Sequence, residues 1–425
     1  MGHIVNHHRD YRLLQERFDR HITGAPASPT FTKILEILFT PEEARLARRF
    51  PSIPKPLSQI AKKLKMDEDQ LSDLVQDLAH RGLMIDIEYK GKKFAALPPV
   101  VIGFFEYTFM RSRCDAPMAE IARLFDQYMI EDDRFSRAVF QKQTQIGRSL
   151  VREESLPQGD HIEILDWERA SHVVKNASSH AVSMCACRHK AEHLGKACDH
   201  DQNNCLSFGS AADVLVHNGL AKTITASESM KLLEQSKEAG LAQTGDNVQN
   251  KLSYICNCCG CCCGMIEAIK TFDINNAIVS SNWIVEIDSE TCDGCAKCSD
   301  ACPVDAIEME KYTLDGRNRQ RAIRDADVCL GCGICPTVCK SGSAVMKSRE
   351  QRVFTPETSF DKYVNMAIER GKLAEMIFSD YDSFSHRTLG RMLSALEKSP
   401  PIQALLAIKP LKSSFLNALV RNGSR

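Results

Sequence analysis

All but one of the 19 cysteines in this 425-residue chain fall between residues 185 and 339, and they come in runs rather than singly. The densest run, YICNCCGCCCGM (254–265), supplies Cys256, Cys258, Cys259, Cys261, Cys262 and Cys263. A second, SMCACRHKAEHLGKACDHDQNNCLSFG, supplies Cys185, Cys187, Cys198 and Cys205. Two further runs, CDGCAKCSDACP from Cys292 and CLGCGICPTVCK from Cys329, share one spacing, with gaps of two, two and three residues. A thiolate is a soft ligand, a nucleophile and an oxidisable group. Thiols this dense are therefore expected to be bonded, to one another or to metal.

Disulfide frameworks belong to short secreted chains. This chain is long, and its start, MGHIVNHHRDYRLLQERFDR, has no apolar core for a signal peptide. No apolar run, LPPVVIGFF (97–105) included, reaches the roughly 20 residues of a transmembrane segment. A cytoplasmic protein with reduced, metal-bound thiolates is expected. With 43% hydrophobic and 26% charged residues and a formal net charge of -1, global charge points to no polyanionic partner. Neither a G-x-G-x-x-G after a strand nor a P-loop occurs, so a bound dinucleotide or ATP hydrolysis is not supported, and any flavin would sit on a partner.

The two matched runs resemble the bacterial ferredoxin signature for two 4Fe-4S clusters. Three cysteines at short intervals can wrap one face of an iron-sulfide cube, while the fourth, after the longer gap, faces away. In ferredoxins of this type that fourth thiol serves the other cluster. The resemblance thus implies Cys292, Cys295, Cys298 and Cys339 for cluster one, and Cys302, Cys329, Cys332 and Cys335 for cluster two. Pro303 follows Cys302 as the pattern expects, but Lys340 stands where the second proline would be, and its charge is expected to raise the potential of cluster one. Between the runs, AIEMEKYTLDG and RNRQRAIRDADV read as a hairpin turning at Asp315-Gly316. Arg317, Arg319, Arg321 and Arg324 make it basic, as a solvated face or as a docking patch for an acidic redox partner.

The other ten thiols do not have ferredoxin spacing. A zinc site could use four of them, or Cys185 and Cys187 with His189 and His193, but leaves most unexplained. A dithiol-disulfide site could use Cys256 with Cys259, although adjacent cysteines bridge each other poorly. One or two additional iron-sulfur clusters fit the number best. Six thiols in eight residues cannot all reach one cluster, so some are expected to meet the cysteines of the 185–205 run. Arg188 and Lys190 would either hold the charge of that site or be surface cations; His189, His193 and His200 read as hydrogen-bonded residues, and Cys114 as a small buried apolar one.

These runs need elements to position them. FTKILEILFTPEEARLARRF reads as helix interrupted near Pro41, and residues 56–97 as helix, turn, helix and a two-stranded wing. Leu57, Ile60, Ala61 and Leu64 share one face, as do Leu71, Leu74, Val75 and Leu78; Gly82 stops the second helix, and Lys90-Gly91 turns the wing. This resembles a winged helix, but Asp67, Glu68, Asp69, Asp73 and Asp77 on its second helix disfavour DNA despite Lys90, Lys92 and Lys93 on the wing. Residues 117–150 read as helical. HIEILDW reads as a strand, WERASHVVKNAS as a helix, HAVSMC as a strand, and Thr225 with Glu228 as a capping box for a helix closed by Gly240.

The expected fold class is α+β multidomain: winged-helix-like N-terminal domain (1–110), helical connector (111–160), α/β cysteine-rich middle domain (161–280), bacterial dicluster ferredoxin-like domain (281–350) and helical C-terminal tail (351–425). In the tail, PIQALLAIKPLKSSFLNALVRNGSR has an amphipathic pattern suited to packing on its own protein, or to a partner or membrane surface. The order FTPEEA, LAHRGL, GFFEYTFMR, CACRHKAEHLGKACDH, CLSFG, CNCCGCCC and the twin runs resembles a family of iron-sulfur proteins from anaerobic bacteria. That resemblance implies electron transfer beside oxidoreductase subunits, flavin-containing ones among them, and gives no substrate. An oxidoreductase with its active site at the middle cysteines and a redox-sensing DNA-binding regulator are the alternatives.

Overall fold

The computed structural model describes residues 7–157, 165–314 and 317–377. The chain forms two compact units: one runs Glu106–Lys362, and the other joins the residues up to Phe105 with the stretch from Tyr363. The last part of that stretch, with the amphipathic pattern at 401–425, lies outside the described residues, as do the turn at Asp315-Gly316 and most of HIEILDW.

The first unit opens with α1 (His7–Asp19), α2 (Pro29–Leu38) and α3 (Pro41–Ala47). The break between α2 and α3 follows from local chemistry: Thr40 and Glu43 form a reciprocal capping box ahead of Pro41, so a new helix starts there. Phe18, Phe31 and Phe104 pack with ring centroids 5.0–6.2 Å apart in its core. Next come β1 (Lys55–Pro56), α4 (Leu57–Leu64), α5 (Glu68–His80), β2 (Ile85–Tyr89) and β3 (Lys92–Ala96). The three strands form one antiparallel sheet in the order β1-β3-β2. Lys90 and Gly91 both have positive φ, which the two-residue turn between β2 and β3 requires. The expected face of α4 is buried, but on α5 Leu74 is 43% exposed, and Ala79 takes its place beside Leu71, Val75 and Leu78.

The second unit begins with α6 (Phe105–Phe109), α7 (Met118–Ile130) and α8 (Arg134–Phe140). Contrary to the helical expectation through 150, β4 (Gly147–Ser149) then enters a sheet, where Gly147 packs against Tyr254. The remaining elements around that sheet are α9 (Ala170–Asn176), β5 (His180–Ser183), α10 (Ala186–His193), β6 (Cys205–Phe208), α11 (Gly209–His217), β7 (Lys222–Thr223), α12 (Ala226–Glu238), β8 (Ala242–Asp246), β9 (Tyr254–Cys258) and α13 (Gly264–Phe272). The capping box of Thr225 and Glu228 is present, and Gly240 closes α12 with a φ of +79°. Of HIEILDW, Leu165, Asp166 and Trp167 are described; Asp166 and Trp167 sit in a single tight 3₁₀ turn and not in a strand.

The sheet order is β4-β8-β9-β6-β5-β7, and every neighbouring pair is antiparallel. An α/β arrangement would need parallel crossovers. Instead the connection through α10 returns to the sheet end it left, so Ser183 faces Cys205. Leu150, Val174, Leu206, Leu233, Val248 and Ile255 form the core on which α9 and α12 pack.

Residues 281–350 lie in this same unit. β10 (Trp283–Ile287) pairs with β13 (Ala344–Ser348), and β11 (Ile307–Leu314) with β12 (Arg317–Arg324); α14 (Lys297–Asp300) and α15 (Ile334–Val338) pack together. Cys332 and Ile334 share an apolar cluster with Ala242 of β8, and Arg152 N–H donates to the Cys332 carbonyl at 3.0 Å.

In the first unit, burial holds the His21 ring neutral, its pKa lowered to about 3 and assisted by the nearby Arg17 charge, while Nε2 donates to the Leu97 carbonyl. Between the ordinary histidine value and that one, the unfolded chain binds a proton the native chain refuses. Stability is therefore full above the ordinary value and drains as pH falls toward 3, by at most about 1.4 kcal/mol per unit. His21→Gln, which keeps a donor but does not titrate, is expected to flatten the profile of urea midpoints between pH 6.5 and 4; an unchanged slope would contradict the assignment.

A candidate metal centre of eighteen thiols

The antiparallel register gathers the ten unmatched cysteines at one end of the sheet. Thr244 of β8 faces Cys256, and Ala242 faces Cys258. Cys205 starts β6 beside the strand that carries Cys256. Cys185 precedes α10 and Cys187 lies in its first turn, while Cys263 immediately precedes α13.

The ten divide into two groups. Six form a continuous hydrogen-bonded string in the order Cys205, Cys256, Cys258, Cys263, Cys187, Cys185. The other four, Cys198, Cys259, Cys261 and Cys262, have sulfurs within 4.8 Å of one another. Cys198 Sγ is 3.6 Å from Cys259 Sγ and 3.9 Å from Cys262 Sγ, and Cys261 Sγ is 3.6 Å from Cys262 Sγ. Cys261 is exposed, whereas Cys259 and Cys262 are buried.

Neighbours set the acidity of these thiols. Bonds from Cys256 and then Cys263 hold Cys258 down at about 6, with Thr244 Oγ1 2.9 Å away. Cys262, and after it the Arg188 guanidinium, bring Cys259 down to about 4, while burial and then the Cys259 charge push Cys261 up to about 11. Cys185, Cys256 and Cys263 all rise.

Arg188 and Lys190 are not surface cations, because α10 turns both inward. Arg188 is 0% exposed and donates to the Asp201 carbonyl (3.1 Å), Asn204 Oδ1 (2.9 Å) and the Asn257 carbonyl (2.6 Å); Lys190 Nζ donates to Asp126 at 2.6 Å. His189 Nδ1 donates to the Phe109 carbonyl at 2.8 Å, with His193 3.2 Å from its other nitrogen. Cys114 is exposed, not buried: it lies in a polar loop with charged Arg113 and Asp115 on either side.

Around the twin runs the thiols are spaced apart. Cys302, Cys329, Cys332 and Cys335 line a single pocket with Val285, Pro303, Ile307 and Met346. The Ala306 N–H donates to Cys302 Sγ at 3.2 Å, and burial pushes Cys332 up to about 12. Cys298 is buried and feels the charges of Cys292 and Cys339, and Cys295 is exposed. Burial opposes ionisation of Cys339, but bonds with Ser341 and Ser343 outweigh it and bring that thiol to about 7. Gly331 has a φ of +66° and a side chain there would meet the Trp283 carbonyl at 2.0 Å, so the loop requires glycine. The soft thiolate set around an apolar pocket fits an iron-sulfur cluster. Of the arginines on the hairpin, Arg321 pairs with Glu310 and Arg324 donates to the Val285 carbonyl, so neither is a free solvated charge.

Comparison with known proteins agrees with this stretch. Residues 291–343 match the model of the 4Fe-4S dicluster domain family. The chain is also similar to Ferredoxin-3 of Rhodobacter capsulatus, 28% identical over 76 residues that cover 14% of this chain and 75% of that protein. No solved structure gives a significant match. The chain thus contains a ferredoxin-like iron-sulfur domain. Among the described residues no helix is long and apolar enough to cross a membrane.

Sequence patterning left Arg188 open between holding the charge of the thiolate site and being a surface cation; the structure buries it beside Cys259. Replacing it by Met leaves three acceptors without their donor, two of them in buried hydrogen bonds, and Arg188→Met is expected to destabilise the chain by about 3–5 kcal/mol in denaturant titrations. A loss below about 1 kcal/mol would show that those acceptors find other partners.

Proposed function

We propose that this protein transfers single electrons between redox partners through two 4Fe-4S clusters. Cys292, Cys295, Cys298 and Cys339 would hold one, and Cys302, Cys329, Cys332 and Cys335 the other. The observation that carries this reading is the pocket lined by four thiols drawn from both runs, inside the stretch that matches the dicluster family. Bound there, the clusters supply one-electron redox chemistry.

The chain's own residues prepare the two sites differently. Around Cys332 and Cys335 the wall is apolar and buried, which excludes water, and the Ala306 N–H at Cys302 Sγ favours the anionic form of that sulfur. Cys295 is exposed, so a partner is best met on the loop between Cys292 and Cys298. The partner would be an oxidoreductase subunit, a flavin-containing one included. Any additional cluster would fall to the six-thiol string, whose buried sulfurs already touch in series.

The first unit suits a winged-helix module that docks protein and not DNA. Its α5 exposes Asp67, Glu68, Asp69, Asp73 and Asp77, and the wing residue Lys93 is tied to Ser72 at 2.6 Å.

Anaerobically purified protein is expected to contain about eight irons and as many sulfides from the twin runs, or about twelve if the string also holds one 4Fe-4S cluster, with EPR signals on reduction. A folded chain with neither iron nor sulfide would refute the proposal. Lys340→Ala is expected to lower the potential of the cluster held by Cys339, leaving the other in place; two unchanged potentials would show that the exposed ammonium is screened.

A further inference from the structure

We infer that Cys198, Cys259, Cys261 and Cys262 form a mononuclear tetrahedral site for one divalent transition-metal cation, zinc ahead of iron. Every one of the six possible pairs among the four sulfurs is in contact: three pairs are 3.6, 3.6 and 3.9 Å apart, and the other three are hydrogen-bonded thiol pairs. A tetrahedron of thiolates at the usual zinc-sulfur distance of about 2.3 Å has edges of about 3.8 Å. The observed edges therefore leave room for one ion at the centre and none for a cube of irons and sulfides. A cube puts each thiolate on a separate corner iron and keeps the sulfurs well apart.

The same chain provides the contrast. Among the described residues, the thiols of the twin runs form no such convergent group, and four of them stand around an open pocket. On this assignment the ten middle cysteines divide into four for a single ion and six for the string.

Charge and access suit this assignment. Four thiolates around a divalent ion carry a net double negative charge, and the buried Arg188 guanidinium bonds to Cys259 beside them. Exposed Cys261 gives an ion its way in. With four protein ligands the site is closed, so its role is to clasp and not to catalyse. It ties the loop after α10 to the loop between β9 and α13. Gly260, between two of the ligands, presses on the ferredoxin-like segment so closely that a side chain there would meet the Pro303 carbonyl at 2.8 Å.

The test uses the full chain purified without oxygen, with zinc, iron and sulfide measured per chain, alongside Cys198→Ala and Cys262→Ser variants. About one zinc per chain is expected in the parent and none in the variants, with iron, sulfide and EPR signals unchanged. X-ray absorption at the zinc edge should show four sulfurs at about 2.3 Å, a result that needs no variant to fold. Loss of a single iron without sulfide would support the same site with iron as its ion. Loss of iron and sulfide together in equal number, or a parent with neither zinc nor sulfide-free iron, would overturn it. Failure of the electron-transfer proposal would show separately, as missing EPR signals in the parent.

Discussion

The pairing register of β6, β9 and β8 is the constraint on which the cysteine-rich region depends. Side chains along a strand alternate between faces, so a slip of one residue would send Cys256 and Cys258 to the opposite side of the sheet. The register is held by apolar residues on the same strands: Leu206 faces Ile255, and both are fully buried in the core that α9 and α12 cover. The packing of Leu206 and Ile255 thus fixes where the sulfurs of their chain neighbours Cys205 and Cys256 stand.

Gathering thiols in one place raises an electrostatic problem, because each new thiolate makes the next harder to form in a poorly hydrated site. The chain meets it by placing a cation where none could be tolerated alone. Arg188 is wholly buried, yet three of its contacts are to neutral oxygen acceptors contributed by Asp201, Asn204 and Asn257, which leave its charge to act on Cys259. Asn257 is itself fixed, donating to the Asn204 carbonyl at 2.7 Å and accepting from Gln243 at 3.1 Å. Two polar residues that look incidental in the CNCC and QNNC stretches therefore hold the guanidinium in place.

Much of this was legible in the chain itself, for identifiable reasons. The helix break near Pro41, capping at Thr225, the Lys90-Gly91 turn and the spacing of the twin runs are local signals, and each element appears where its signal lies. What could not be read was long-range. Antiparallel pairing between β5 and β6 depends on which way α10 returns, and neither periodicity nor composition records that. The exposure of Leu74 and of Cys114, and the burial of Arg188 and Lys190, are likewise set by the neighbours that folding supplies. The change in cysteine density along the chain suggested separate middle and ferredoxin-like domains, but both stretches share one compact unit.

That shared unit has a mechanical consequence. Gly260 has no side chain, and the loop that carries Cys259, Cys261 and Cys262 can approach the Pro303 backbone only for that reason. Pro303 follows Cys302, and Lys270, in the last turn of α13, reaches across to Asp305 at 2.7 Å. A displacement of the cysteine loop is therefore transmitted to the backbone beside Cys302 through a contact that cannot compress, since packed atoms at van der Waals separation shift together instead of yielding. The two cysteine regions were distinct as sequence patterns, but the close approach at Gly260 makes the position of one a condition on the geometry of the other.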